Sequence, residues 1–157
     1  MGGEFFLMDF TIKESKLGVD SPIIKPNREF LAQVGEERLR KLVDDHYENI
    51  RNSGIAFMFP VEYEDEFAKV KKHAADFFIQ ISGGPDYFTQ SRGDPRMLAR
   101  HQRFRIDERG RWIWLESFAS LLPELEDEGI DPEHIQSFWN YLERFSSLLV
   151  NIPTSKE

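Results

Sequence analysis

Apolar residues recur every three to four positions through four long stretches of this chain, and glycine, proline or asparagine follows each stretch. That spacing aligns apolar side chains along one face of an α-helix, whereas a half-buried strand requires strict alternation. We identify no set of alternating strands, no internal repeat and no low-complexity tract. The pattern therefore predicts an all-α protein.

The helical stretches have recognisable ends. Asn52-Ser53-Gly54 and Gly83-Gly84-Pro85 stop the first two. Asp107 is placed to cap the third, and Asp131-Pro132-Glu133 opens the fourth with a cap, a proline and an acid. A short helix is expected from Arg96 to His101, which gives about five main helices. The apolar stripes are Leu39, Leu42, Val43, Tyr47 and Ile50; Phe67, Val70, Ala74, Phe77, Phe78 and Ile81; Trp114, Leu115, Phe118, Leu121 and Leu122; and Ile135, Phe138, Trp139, Leu142, Phe145 and Leu149.

Three segments lack this periodicity. The run from Ile55 to Phe59 fits a buried turn or a short strand, and residues 86–95 predict a loop with at most a short turn. Residues 1–30 predict an N-terminal extension that lies on the domain or is partly loose. Residues 31–157 then form one domain, as expected for a chain of 157 residues.

Charge and cysteine content exclude several classes of function. The net charge of -8 and the pI of about 5.1 argue against nucleic acid as a partner, because phosphate binding needs a basic surface. The absence of cysteine excludes disulfides, iron–sulfur clusters and thiolate ligands to a metal. No apolar stretch approaches the ~18 residues of a membrane helix, so we expect no membrane partner and a cytoplasmic location.

Few side chains outside the apolar stripes carry a specific chemical signal. The four histidines, His46, His73, His101 and His134, do not have the spacing of a zinc site. The acidic cluster at residues 62–66 fits a helix N-terminus better than a catalytic site. The 14 phenylalanines, three tryptophans and four tyrosines fit either an aromatic core or a pocket for a flat ligand. From pattern alone, His101 is an ordinary surface or core histidine.

One ordered set of motifs changes this interpretation of His101. The set comprises Gly83-Gly84-Pro85, Phe88, Arg92-Gly93-Asp94-Pro95, Arg100-His101, Phe104 and Ile106, and its spacing resembles that of the group II truncated haemoglobins. The resemblance covers about residues 34–153 and includes Val34-Gly35, His46-Tyr47, Phe59-Pro60, Trp114, Tyr141-Leu142-Glu143 and Leu149-Val150-Asn151. Each motif is weak by itself, whereas the ordered set is specific.

The resemblance implies a globin-like fold, the truncated two-over-two helical sandwich, around one haem b. His101 corresponds to the proximal ligand of the iron, a role that suits a neutral imidazole nitrogen. Tyr47 and Trp114 correspond to distal hydrogen-bond donors, and Phe59 to an aromatic side chain on the haem face. The other positions implied to contact haem are Val70, Ala74 and Phe77 on the distal helix, Met97 on the proximal side, and Arg100 and His73 beside the propionates.

Two positions depart from the family pattern. The usual Gly-Gly pair is Gly35-Glu36 here, which predicts a differently built first corner. The usual Ala-Pro after the proximal histidine is Gln102-Arg103, which predicts a loosened or re-aimed proximal loop. Neither change removes the implied iron ligand or a distal donor.

The resemblance leaves three functions open, because a fold does not define a function. The first is binding of oxygen, or of NO, CO or peroxide, with a diatomic gas as the partner. The second is a redox enzyme of the nitric oxide dioxygenase or peroxidase-like type. Such an enzyme needs a separate reductase, because the chain carries no nucleotide-binding motif. The third is a signalling module with a vestigial pocket, which the retained Tyr47, Phe59, His101 and Trp114 disfavour. The sequence favours ligand binding over catalysis. It does not distinguish a monomer from a homodimer.

Overall fold

Seven α-helices and one short 3₁₀ helix make up the described part of the chain, in which no strand forms. The structure, a computed structural model, describes residues 6–15 and 22–153. In chain order the helices are α1 (Arg28–Val34), α2 (Glu36–Arg51), the 3₁₀ helix Ala56–Met58, α3 (Glu64–Ile81), α4 (Tyr87–Arg92), α5 (Met97–His101), α6 (Glu108–Asp127) and α7 (Pro132–Leu149). The all-α prediction is confirmed. None of these helices combines the length and the apolar character that a membrane span requires.

Four long helices form the framework in two pairs. α2 packs on α3, α6 packs on α7, and α2 also contacts α6 across the pairs. The predicted apolar stripes meet in a common core, in which Leu39, Phe67, Phe118 and Phe138 are almost completely buried. This burial supplies most of the helical stability, since isolated helices of this length are marginal in water. The arrangement is the two-over-two sandwich that the sequence implies.

One of the two predicted N-caps forms, and the other does not. The Asp107 carboxylate accepts a hydrogen bond from the Gly110 N–H at 2.9 Å and so caps α6. Pro132 occupies the first turn of α7, but the Asp131 side chain makes no capping hydrogen bond. The Asp131 carboxylate instead accepts from the Gln33 side chain at 3.0 Å. The run from Ile55 to Phe59 contains the 3₁₀ helix, so the turn alternative is correct and the strand alternative is not.

A single glycine makes the first corner of the fold. Gly35 has a φ of +80°, in the region that disfavours other residues, and its N–H donates to the Leu31 carbonyl oxygen at 2.8 Å to end α1. Glu36, which stands where the family usually has a second glycine, is the first residue of α2. A carboxylate is favourable beside the positive end of the helix dipole. The corner between α1 and α2 therefore accommodates Glu36 in place of the second glycine.

The segment 86–95, which the sequence predicts as a loop, contains the six-residue helix α4. The prediction was wrong because tertiary contacts, which no local pattern reveals, stabilise a helix too short to form alone. Phe88 is buried edge-on against Phe77, with ring centroids 5.9 Å apart. The Gln80 side chain donates to the Thr89 hydroxyl and accepts from the Thr89 N–H. These contacts attach α4 to α3.

Part of the predicted N-terminal extension packs on the helical domain. Within residues 8–12, every second side chain packs against the core. The helix α1 begins at Arg28, inside the predicted extension, and its Phe30 is fully buried. The expectation of a partly loose extension also concerns residues 1–5 and 16–21, which lie outside the described residues.

Candidate functional site

A cavity lies between the two helix pairs and reaches the segment that carries His101. Its empty volume, including the open mouth, is about 920 Å³. Aromatic and aliphatic side chains form most of its wall. The predicted site residues that line it are Tyr47, Phe59, Ala74, Phe77, Met97, His101 and Trp114.

His101 stands at the last position of α5, partly buried at the cavity wall. Its Nδ1 lies 2.7 Å from the backbone carbonyl oxygen of Met97, one helical turn earlier. A carbonyl only accepts hydrogen bonds, so Nδ1 carries the proton and the lone pair of the neutral imidazole is on Nε2. Metal-ligating histidines are commonly fixed in this way. His101 is therefore in the tautomer that an iron ligand requires.

Tyr47 on α2 and Trp114 on α6 bring two polar groups to this mainly apolar wall. Burial raises the pKa of the Tyr47 phenol to about 12. An indole N–H can only donate, whereas a phenol can both donate and accept. Phe59 lies edge-on to the Tyr47 ring, with centroids 5.6 Å apart. The cavity wall thus carries two hydrogen-bond donors from different helices.

His46 supports the rings of Tyr47 and Trp114 on the side of the core. Its fully buried ring stacks on Phe118, with centroids 3.8 Å apart, and lies edge-on to both other rings. Nδ1 lies 2.8 Å from the Ser117 hydroxyl, whereas Nε2 is buried without a hydrogen-bond partner among the described residues. Burial lowers the pKa of His46 to about 3, so the ring is neutral near pH 7. Sequence reasoning missed this supporting role.

The loop after His101 is held by the C-terminal segment. The Asn151 side chain accepts from the Ile106 N–H at 2.9 Å and donates to the Phe104 carbonyl oxygen at 2.7 Å. Phe104 and Ile106 both line the cavity. The substituted pair Gln102-Arg103 is exposed. The sequence predicts a loosened proximal loop. Phe104 and Ile106 are the loop positions that reach the cavity, and their bonds to Asn151 oppose this loosening.

Three predicted contact residues, Val70, His73 and Arg100, are not part of the cavity wall described above. Val70 packs against the core. The Nδ1 of His73 is buried and has no hydrogen-bond partner within the described ranges, and burial, followed by the charge of Arg92, lowers the pKa of His73. Arg100 donates to three backbone carbonyl oxygens at residues 92–95, at 2.5 to 2.9 Å. Its guanidinium therefore holds the loop before α5.

Sequence reasoning missed part of the wall. α7 contributes Phe145, Ser146 and Leu149, and α6 contributes Arg111. The two apolar residues belong to the predicted stripe of α7, but a stripe does not reveal whether it faces the core or a cavity. Arg111 is buried, which the sequence does not signal because arginine is mostly exposed.

The donor set and the cavity fit haem. A flat, mainly apolar group matches a wall of aromatic and aliphatic side chains. The lone pair on Nε2 of His101 is a ligand that haem iron takes from proteins. His73, which precedes the cavity-lining Ala74, keeps a buried nitrogen for which the described residues supply no partner.

The chain is similar to known globins in sequence and in structure. The model of the family described as Bacterial-like globin matches residues 30–149. Group 2 truncated hemoglobin YjbI of Bacillus subtilis is 31% identical over 97 residues, which cover 61% of this chain and 70% of that protein. The crystal structure of phosphate-bound Hell's gate globin IV is 34% identical, with a TM-score of 0.81 over 92% of this chain and 89% of that chain. The group II truncated hemoglobin from Bacillus anthracis is 26% identical, with a TM-score of 0.68 over 86% of this chain and 97% of that one.

The family match spans α2 to α7, and therefore every helix that bounds the cavity. Membership of a globin family implies that the chain binds haem and, through it, a diatomic gas. The chain belongs to the bacterial-like globins and, within them, to the group II truncated haemoglobins.

Proposed function

We propose that this chain binds one haem b through His101 and retains oxygen there by hydrogen bonds from Tyr47 and Trp114. The observation that carries the proposal is the orientation of His101, whose bond to Met97 leaves the Nε2 lone pair for a metal at a cavity wall. Haem supplies an iron at which a diatomic gas binds, and the protein supplies the proximal ligand, the wall and the donors.

The distal residues determine how long a ligand stays. Tyr47 and Trp114 come from different helices, so core packing positions both donors before a ligand arrives. Two such donors favour a ligand with partial negative charge, and the same groups would act on NO, CO or peroxide. We therefore expect slow release of oxygen, which does not suit bulk transport.

His73 is the better supported of the two expected partners for the propionates. Arg100 already donates to three carbonyl oxygens of the preceding loop. The buried Nδ1 of His73 has no partner in the described ranges, and the positive charge of Arg92 contributes to lowering its pKa. A carboxylate there would supply both a hydrogen-bond partner and the opposite charge.

The test is haem binding by the purified chain carrying His101→Ala. The matched control is His134→Ala, because His134 lies in the first turn of α7 and outside the cavity wall. We expect the wild-type chain and the control to keep one haem per chain through gel filtration, and His101→Ala to lose it. Unchanged haem stoichiometry in a folded His101→Ala variant would exclude His101 as the iron ligand.

A further inference from the structure

Arg111 joins the cavity wall to residues 6–15, which we call the arm. Its side chain is completely buried, and a buried charge needs close partners. Nε donates to the Ser146 hydroxyl at 3.0 Å. One terminal nitrogen donates to the Lys13 carbonyl oxygen and the Glu108 carboxylate, and the other to the backbone oxygen and the carboxylate of Glu143. The guanidinium thus connects α6, α7 and the arm.

The two carboxylates around Arg111 also hold the arm. Glu108 accepts from both the N–H and the hydroxyl of Ser15. Glu143 accepts from the Lys13 N–H at 3.3 Å. The two carboxylate side chains are only 17% and 13% exposed. Arm and domain therefore share one charged cluster that is largely shielded from water.

A second attachment keeps the arm aligned with α7. Gln136 accepts from the Asp9 N–H at 2.6 Å and donates to the Asp9 carbonyl oxygen at 2.8 Å. The Phe10 ring lies 5.1 Å from the Trp139 ring, measured between centroids. Neither Gln136 nor Phe10 belongs to the cavity wall. This attachment therefore offers a way to release the arm without altering the cavity directly.

We infer that Arg111 is a positioning residue for the cavity and that the arm is a strap that holds its wall in place. Arg111 and Ser146 both line the cavity and are hydrogen-bonded to each other, and Arg111 also donates to the arm. Release of the arm removes the Lys13 carbonyl oxygen from Arg111 and the arm donors from both carboxylates. Arg111 keeps Glu108, Glu143 and Ser146 as partners, but water then reaches the cluster and competes for these bonds. The effect on haem retention rests on the proposed function, whereas the effect on the wall does not.

The experiment releases the arm in the full chain with the double variant Phe10→Ala, Gln136→Ala. The control is Leu7→Ala, because Leu7 belongs to the arm but is 74% exposed. Haem loss to excess apomyoglobin is followed by absorbance. We expect loss to be about tenfold faster in the double variant, the ratio that corresponds to one charge-assisted hydrogen bond. Leu7→Ala should match the wild type.

Hydrogen exchange read by mass spectrometry reports on the wall itself, with and without haem. We expect faster exchange in residues 108–114 and 143–149 of the double variant, and unchanged exchange in residues 64–72 of α3. Unchanged exchange in both wall segments would overturn the inference, even with a lower melting temperature. Failure of the wild-type chain to retain haem would refute the proposed function instead, and exchange in the haem-free protein would still decide whether the arm holds the wall.

A second variant tests Arg111 directly. Arg111→Lys keeps the charge but replaces the fixed fork of five donors with three rotatable ones. We expect it to accelerate haem loss and exchange in residues 143–149, as release of the arm does. Wild-type values for both quantities would contradict the role assigned to Arg111.

Discussion

The Nδ1 of His101 lies 2.7 Å from the Met97 carbonyl oxygen, so the orientation of the ring depends on α5 being helical. A helix of five residues is not stable by itself. It begins after Arg96, whose φ of +41° lies in the left-handed region that residues other than glycine seldom adopt. Arg100 holds the preceding loop through its bonds to the backbone of residues 92–95. The proximal geometry therefore depends on Arg100.

We predict that Arg100→Met lowers the free energy of unfolding by about 1–3 kcal/mol, because up to three carbonyl oxygens lose a charged donor. Haem loss should accelerate as well, since α5 carries His101. Urea denaturation and haem transfer measure the two effects. Arg105→Met is the control, because Arg105 lies exposed in the following loop. Equal unfolding free energies for the two variants would contradict the role of Arg100 in the loop.

Tyr47→Phe should increase the oxygen dissociation rate about tenfold, as expected for the loss of one strong hydrogen bond. Trp114→Phe should also increase it, because the indole N–H is the second donor at the distal wall. Stopped-flow mixing with an oxygen scavenger measures both rates. Trp112→Phe is the matched control, since Trp112 lies on the same helix and is 38% exposed. Wild-type rates in both distal variants would remove the argument for distal hydrogen bonding.

Stability should fall with acid because of His46. Burial lowers its pKa from 6.5 to about 3 in the folded chain, so between these values the unfolded chain binds a proton that the folded chain does not. Stability is therefore lost as the pH falls below 6.5, by about 2 kcal/mol at pH 5 from this group. Urea denaturation at pH 7 and pH 5 should show a smaller loss in His46→Phe than in the wild type. The same loss in both proteins, with His134→Phe as control, would show that His46 does not cause it.

The long helices could be predicted from sequence because each buries a periodic apolar stripe in one core. The site residues could be selected because their order and spacing match a family, and the structure brings Tyr47, His101 and Trp114 to one cavity. The partner of His101 could not be identified, because backbone carbonyls carry no sequence signal. The helix α4 was missed for a related reason, since its stability comes from contacts of Phe88 with a distant helix.

The burial of one face of the arm is predictable from its sequence. Met8, Phe10 and Ile12 alternate with polar residues, the pattern of an extended segment with one face buried. The structure places these three side chains against the core. The alternation signals burial of one face, but not the partner, because Arg111 lies about a hundred residues further along the chain and gives no local indication that it is buried.

The absorption spectrum of the haem-reconstituted chain in its ferric, ferrous and carbon monoxide forms tests the central claim most directly. The account predicts one haem per chain, with a Soret band that shifts on reduction and again on addition of carbon monoxide. The account would be contradicted by a chain that retains no haem after removal of the excess. It would also be contradicted by a Soret band that shifts neither on reduction nor on addition of carbon monoxide.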